Sequence, residues 1–285
     1  MEDLSSKMKA ASLFDKDVTL TQVVAGADQY FLWCSAAAPR AENVDIPSLI
    51  LHRNMIHMAH GVDVLRVASA PIPMVPLLRS MLEYFLSLEY IHQAEYEERS
   101  LSWLCAHIHQ EIELKELADP TTERGATFQK NAEAQVPGWA NFRHIGGPEL
   151  GEAVGNLQSL LRLPLMEHIE EEFQNLKRKS NGRSPKWYRM FGGPGNLREL
   201  ADRVRRTPLH QLFYGPWSAT VHGTDATSLG IWQHDGTGQF RDLSDEHDLD
   251  FLDGSARWLL VMGTRKMLQK FLPENGVPSD SSELR

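Results

Sequence analysis

Cysteine is scarce: the 285 residues hold only Cys34 and Cys105. Two thiols so far apart make neither a disulfide framework nor a zinc spacing, and two free thiols in a reducing cytoplasm are the expectation. Long apolar runs are lacking too. The best candidate, WLLVMG at 258–263, is far short of the ~20 residues that cross a bilayer. The first twenty residues carry no apolar stretch suited to a signal peptide. A cytoplasmic location with no membrane partner is therefore expected. Nucleotide-binding loops are missing as well. Gly192-Gly193-Pro194-Gly195 has no Lys-Ser/Thr after it, and no Gly-x-Gly-x-x-Gly joins a strand to a helix. The sequence has no internal repeat and no low-complexity tract.

What is present suits a globular protein with a buried core: 42% hydrophobic and 24% charged residues. The length favours one core with an insertion. The reading is a single helical-bundle domain over 21–272 with an insertion around 119–149, between flexible segments at 1–20 and 273–285. A helix is predicted from Val44 to about Arg66, using Ile46, Leu49, Ile50, Ile56, Val64 and Leu65. A second runs from about Met74 to Glu95, where Met74, Leu77, Leu78, Met81, Leu82, Phe85 and Leu88 recur at three- and four-residue spacing. A third covers Glu97–Leu117 and stops before Asp119-Pro120. A long helix follows over about Glu149–Lys179, kinked at Pro164. Asn196 caps a helix to Arg205, and another reaches His222 with a fresh start at Gly215-Pro216. Leu229–Leu243, around Asp235-Gly236, is the hairpin candidate. Asp248–Leu272 is the last helix, with Phe251, Leu252, Leu259, Val261, Met262 and Leu268 in reach of the core. The fold class is all-α: a bundle of six or seven helices with one small β-hairpin near the C-terminus.

The net charge of −9 is unevenly spread. Lys177–Arg206 holds ten basic residues against Glu199 and Asp202, a net +8 that leaves −17 for the remainder. Lys177, Arg178, Lys179, Arg203, Arg205 and Arg206 are its densest clusters and the candidate nucleic-acid contacts. A solvated helix end would leave the same pattern.

Two helices carry polar pairs at four-residue spacing, which puts each pair on one face. Arg79 and Glu83 share a stripe with Leu86 and Tyr90. A buried pair there would either fix helix register or offer a guanidinium to an anion. Ser218 and His222 lie in GPWSATVHGT. A histidine so placed can transfer protons near neutral pH, or can simply end the helix ahead of Gly223. The two pairs are expected to converge.

These stretches, LLRSMLEYFLSLEYI (77–91) and LRELADRV…FYGPWSATVHGT (197–224), resemble a bacterial family of unknown function. Its members share an Arg-x-x-x-Glu helix and a later Tyr…Ser-x-x-x-His-Gly helix, and the likeness in order of elements covers roughly 44–265. That resemblance implies a site of Arg79, Glu83, Tyr214, Ser218 and His222 and assigns no activity. More distantly, the chain is similar to HEPN helical domains, many of them metal-independent ribonucleases of toxin and phage-defence systems with an Arg-x(4–6)-His motif. Arg53 and His60, in RNMIHMAH, meet that spacing at its upper limit; His222 has no arginine at the required distance upstream.

Metal patterns are weaker. Glu89-x-x-His92 lacks the second pair that a di-iron bundle needs. His107 and His109 flank Ile108, and His52, His57 and His60 lack an acidic or cysteine partner in a known pattern. No metal and no cofactor are expected. The leading expectation is a HEPN-like protein that cleaves RNA by acid–base chemistry, with Arg79 on the phosphate, His222 as acid or base, and Glu83 and Ser218 positioning. Tyr214, Arg53 and His60 would line the ligand. The alternatives are a non-enzymatic module for an anionic small molecule or nucleotide, and an oligomerising interaction protein. A homo-oligomer is compatible with each.

Overall fold

The computed structural model describes residues 18–38, 44–139, 149–222, 230–232, 238–240 and 248–272. Of the segments expected to be flexible, 1–20 and 273–285, residues 1–17 and 273–285 lie outside them, whereas Thr19 and Leu20 cap and begin a helix. The chain divides into two compact units, Met1–Tyr96 with Asn196–Arg285, and Glu97–Gly195. The segment read as an insertion falls inside the second.

The first unit begins on a reciprocal cap. The Gln22 backbone N–H donates to the Thr19 hydroxyl, and the Thr19 N–H donates to the Gln22 side chain at 2.9 Å. Helix α1 (Leu20–Ala37) follows, burying Leu20, Val23, Ala27, Tyr30 and Cys34. Periodicity did not announce it. Its buried stripe includes small residues, while Leu32 on the same helix is 53% exposed and blurs the pattern. The signal that was available is the Thr19-x-x-Gln22 spacing itself.

Helix α2 (Ile46–Val67) buries Leu51, Met55, Ile56, Ala59 and Val62. Ile46, Ile50 and Val64, expected in the core, are exposed instead. Uncounted polar residues take core places: Ser48, His52 and Asp63 are buried because each finds a partner.

Helix α3 (Pro71–Gln93) starts three residues earlier than the sequence suggested, because Pro71 sits in the first turn, where proline costs no hydrogen bond. Met74, Leu78, Met81, Leu82, Phe85, Leu86, Leu88 and Ile91 are all fully buried. The helix packs against α2 and against the last helix, α11 (Leu249–Phe271), which also holds α1 and α2. At Gly263 of α11 a Cβ would stand 2.7 Å from Met55 Cε, so glycine permits the close approach to α2. Leu252, Leu259, Met262 and Leu268 are buried as expected, whereas Phe251 is exposed.

Asn196 caps α8 (Leu197–Arg203), its side chain accepting the Glu199 N–H at 3.0 Å. The next segment runs from α9 (Thr207–Leu209) through a π-helical turn (His210–Tyr214) into α10 (Gly215–Val221). Strands β1 (Gly230–Trp232) and β2 (Gly238–Phe240) pair antiparallel, Gly230 opposite Phe240 and Trp232 opposite Gly238. The residues between them lie outside the described set.

In the second unit, α4 (Tyr96–Ala118) opens on Glu97 and Glu98 and carries Lys115 in its last turn, both favourable to the helix dipole. A short α5 (Glu123–Gln135), capped by Thr122, occupies the expected insertion. The long helix expected over 149–179 is two helices, α6 (Glu149–Leu161) and α7 (Glu167–Lys179). A single 3₁₀ turn at Pro164–Met166 separates them, since proline can begin a helix but not continue one. Helix α7 buries Ile169 and Phe173 and ends on Lys177, Arg178 and Lys179, where cations suit the carboxyl end of the dipole. Among the described residues the protein is helical apart from the single strand pair, and no helix is long and apolar enough to cross a membrane.

Candidate functional site

Arg79 projects from α3 toward the segment that ends at His222, and its guanidinium is a hub. Nη2 donates to the Tyr214 hydroxyl at 3.0 Å, and Nη1 lies 3.4 Å from His222 Nε2. Nε stands 3.3 Å from Glu83 Oε1 without the alignment of a hydrogen bond, so that contact is mainly one of charge. The guanidinium carbon sits 5.0 Å from the Tyr214 ring centroid, a cation–π distance. Guanidinium only donates, so the contact with His222 requires Nε2 to be the unprotonated ring nitrogen.

Local structure explains how these groups meet. Tyr214 is the last residue of the π-helical turn, whose extra residue per turn re-aims the chain before Pro216 restarts a regular helix. His210 stacks on the Tyr214 ring at 4.8 Å. Burial first, and then the Arg198 charge, lowers the pKa of the His210 imidazole. His222 follows α10 directly. Its backbone N–H donates to the Ser218 carbonyl at 3.0 Å, so Ser218 is tied to the site through its main chain.

The expected convergence is thus present for Arg79, Glu83, Tyr214 and His222, which lie in one unit. The expected burial of the Arg79–Glu83 pair is not. The Glu83 side chain is 42% exposed against 19% for Arg79. Leu86 and Tyr90 of the same stripe are buried, but Glu83 sits at its margin, where such a pair contributes about 0–1 kcal/mol.

The other candidates lie elsewhere. Arg53 of α2 pairs with Asp28 and lies over the Phe31 ring at 5.1 Å, while His60, two turns on, is exposed. Among the described residues no contact joins either to the Arg79 hub. The basic clusters are not uniformly solvated. Lys177 donates to Glu113 at 3.0 Å, and Arg206 reaches the buried Glu89 at 3.3 Å beside Lys266 at 3.6 Å. Arg178, Lys179, Arg203 and Arg205 are exposed.

Sequence reasoning missed a second polar network in the first unit. Ser48 Oγ lies 2.9 Å from His92 Nε2 and 3.3 Å from the Tyr96 hydroxyl, which donates to Asp45 Oδ1 at 2.8 Å. A serine beside a histidine suggests a nucleophile, yet Ser48 is fully buried and the Tyr96 ring stands edge-on to His92. Burial, then Lys270, Lys266 and His52, lowers the His92 pKa to about 3. This is a satisfied core histidine.

The Arg79 hub differs in being reachable: His222 is exposed, and Tyr214 and Arg79 are half-buried. Of the five guanidinium N–H groups two are hydrogen-bonded to His222 and Tyr214 and the Nε–H faces Glu83 by charge alone, which leaves two to meet an anion. A cation, an unprotonated imidazole nitrogen and a phenol within one hydrogen-bonded cluster can bind an anionic group and move a proton on it.

The chain belongs to DUF5677, a family of unknown function whose model matches residues 45–240, a range that includes Arg79, Glu83, Tyr214, Ser218 and His222. No curated protein and no solved structure matches the chain.

Proposed function

We propose that this DUF5677 member binds a phosphodiester of RNA at the Arg79–Tyr214–His222 cluster and cleaves it by acid–base chemistry that needs no metal, as a HEPN-like, defence-associated ribonuclease. The observation that carries the reading is the single guanidinium shared by a tyrosine hydroxyl and an accessible histidine. In this scheme the two remaining Arg79 donors take the non-bridging phosphate oxygens. As the strand binds, the Arg79 Nη1–H moves from His222 to the phosphate, which frees the one Nε2 lone pair to remove the proton of the ribose 2′-hydroxyl, whose oxygen attacks phosphorus. The P–O5′ bond breaks, and the departing oxygen takes a proton from Tyr214 or from water, leaving a 2′,3′-cyclic phosphate. Glu83 holds the guanidinium by its Nε edge, and Ser218 holds the His222 backbone. The exposed Arg203 and Arg205 of the same unit would follow the rest of the strand, while Arg178 and Lys179 offer a basic helix end of the other unit.

One observation favours a second reading, a module that binds an anionic small molecule or nucleotide without chemistry. Lys177 and Arg206, two of the six basic candidates, are already held by Glu113 and Glu89, which thins the surface left for a long polyanion. The two readings part on one experiment. Labelled single-stranded RNA is incubated with the full chain in excess chelator, beside the same strand with 2′-deoxy sugars. Cleavage of the RNA strand alone is expected. Intact RNA, together with saturable binding of a nucleoside monophosphate that Arg79→Ala abolishes, would replace the first reading with the second.

A further inference from the structure

Helix α4 carries Cys105 and His109 four residues apart, hence on one face, and α7 sets Glu170 against them within the same unit. Both groups address a single carboxylate oxygen. His109 Nε2 lies 2.7 Å from Glu170 Oε2, and the Cys105 thiol donates to that oxygen at 3.4 Å. The three ligand atoms all lie within 4.8 Å of one another.

We propose that Cys105, His109 and Glu170 form a site for a divalent metal ion of the zinc class. The donor set selects the metal. A thiolate and an imidazole disfavour magnesium and calcium, while thiolate, imidazole and carboxylate together are the ordinary ligands of zinc. Metal–ligand bonds of about 2.3 Å to sulfur and about 2.0–2.1 Å to nitrogen and oxygen, at tetrahedral angles, put ligand atoms about 3.3–3.6 Å apart. The 3.4 Å between Cys105 and Glu170 already fits, the 2.7 Å between His109 and Glu170 must open by about 0.6 Å, and Cys105 and His109, within 4.8 Å, must close by up to about 1 Å.

The surroundings are those of a supported site rather than a chance cluster. Gln174 donates to the other Glu170 oxygen at 2.8 Å and so orients the carboxylate. The Phe173 ring lies parallel to the His109 ring at 4.1 Å and fixes its plane. Such outer contacts are what hold metal ligands in register. Cys105 is fully buried, whereas Glu170 and His109 keep 26% and 13% of their side-chain surface, which gives an ion a way in from solvent. Binding replaces the thiol proton, and the proton between His109 Nε2 and Glu170 leaves to Nδ1 or to solvent. Three protein ligands leave a fourth position for water.

The site shares no residue with the Arg79 cluster, and its test is read by spectroscopy rather than activity. Full-length protein, stripped with a chelator and kept reduced, is titrated with Co²⁺ alone. One equivalent is expected to bring a thiolate-to-cobalt charge-transfer band in the near ultraviolet and strong visible bands of tetrahedral cobalt, both bleached by Zn²⁺. Cys34→Ser keeps these bands and Cys105→Ser loses the charge-transfer band. Gln174→Ala weakens binding about tenfold to a hundredfold, as loss of an outer contact does. Should Cys105→Ser fail to fold by circular dichroism, His109→Gln and Glu170→Gln carry the same test through loss of the tetrahedral bands. No thiolate band at one equivalent, or a band that persists in Cys105→Ser or vanishes in Cys34→Ser, would overturn the site and leave an ordinary His109–Glu170 pair beside a buried thiol.

Discussion

Two histidines, His52 fully buried and His92 largely so, make the first unit sensitive to acid, and the size of the effect follows from their surroundings. His52 is fully buried, with Nε2 2.9 Å from the Thr264 hydroxyl and the Phe31 ring 6.2 Å away; burial first, then Arg53, lowers its pKa to about 3. His92 faces Ser48, Tyr96, Lys266, Lys270 and His52, and it too is lowered to about 3, chiefly by burial. Both folded values lie below the ordinary 6.5 of histidine, so as pH falls the unfolded chain takes up these protons first. Stability is therefore complete above pH 6.5 and is lost progressively between 6.5 and 3. By pH 5 the loss is about 2 kcal/mol for each histidine, about 4 kcal/mol for the two, from 1.36 kcal/mol per unit of pKa difference. The assay is urea unfolding at pH 7 and pH 5, for the parent, His52→Gln, His92→Gln and the double variant. Differences between the two pH values cancel the carboxylates common to all four proteins. The parent should lose about 2 kcal/mol more than each single variant and about 4 kcal/mol more than the double. Equal losses in all four would show that these imidazoles charge freely in the fold, and the reasoning from burial would fail.

Three further outcomes are expected. Glu83→Ala should lower stability by no more than about 1 kcal/mol in thermal or urea melts, because its pair with Arg79 is half in water. Glu89→Ala should cost about 1–3 kcal/mol, since it takes a carboxylate that is 7% exposed away from Arg206 and Lys266, whose side chains keep 28% and 19% of their surface; a melt unchanged from the parent would contradict that. Reversing Arg178, Lys179 and Arg205 to glutamate should leave the melt in place and weaken RNA binding in a filter assay by about 10² or more, with a shallower salt dependence than the parent; adding Lys177→Glu should cost stability as well, through Glu113.

Local signals carried much of the architecture. The apolar repeat of α3, the Asn196 cap, the Gly215-Pro216 restart and the last helix all act through neighbours within four residues, and each stands where the pattern put it. Helix α1 was just as local, in Thr19 and Gln22, but its mixed stripe hid it. The site was legible to the extent that each pair shares a helix. Arg79 and Glu83 follow from spacing, whereas the meeting of Arg79 with His222 spans 143 residues and depends on the packing of α3 with α10. Charge was the least legible property. Partners 64 and 117 residues away decide that Lys177 and Arg206 are tied down, and no run of basic residues announces that. The same holds for Cys105 and His109, which gain meaning only when α7 brings Glu170 from 61 residues beyond His109.

The claim that Arg79 holds the phosphate while His222 moves the proton is tested most directly by separating binding from cleavage in two variants. Single-turnover cleavage and equilibrium binding of one RNA strand are measured for the parent, His222→Ala and Arg79→Ala, each confirmed folded by circular dichroism. His222→Ala should bind RNA about as well as the parent while cleaving it about 10²–10⁴-fold more slowly, the range that one general acid or base supplies. Arg79→Ala should lose both binding and cleavage. The parent should leave a 2′,3′-cyclic phosphate end. Cleavage by His222→Ala at the parent rate, or a parent that leaves RNA uncut, would contradict the assignment.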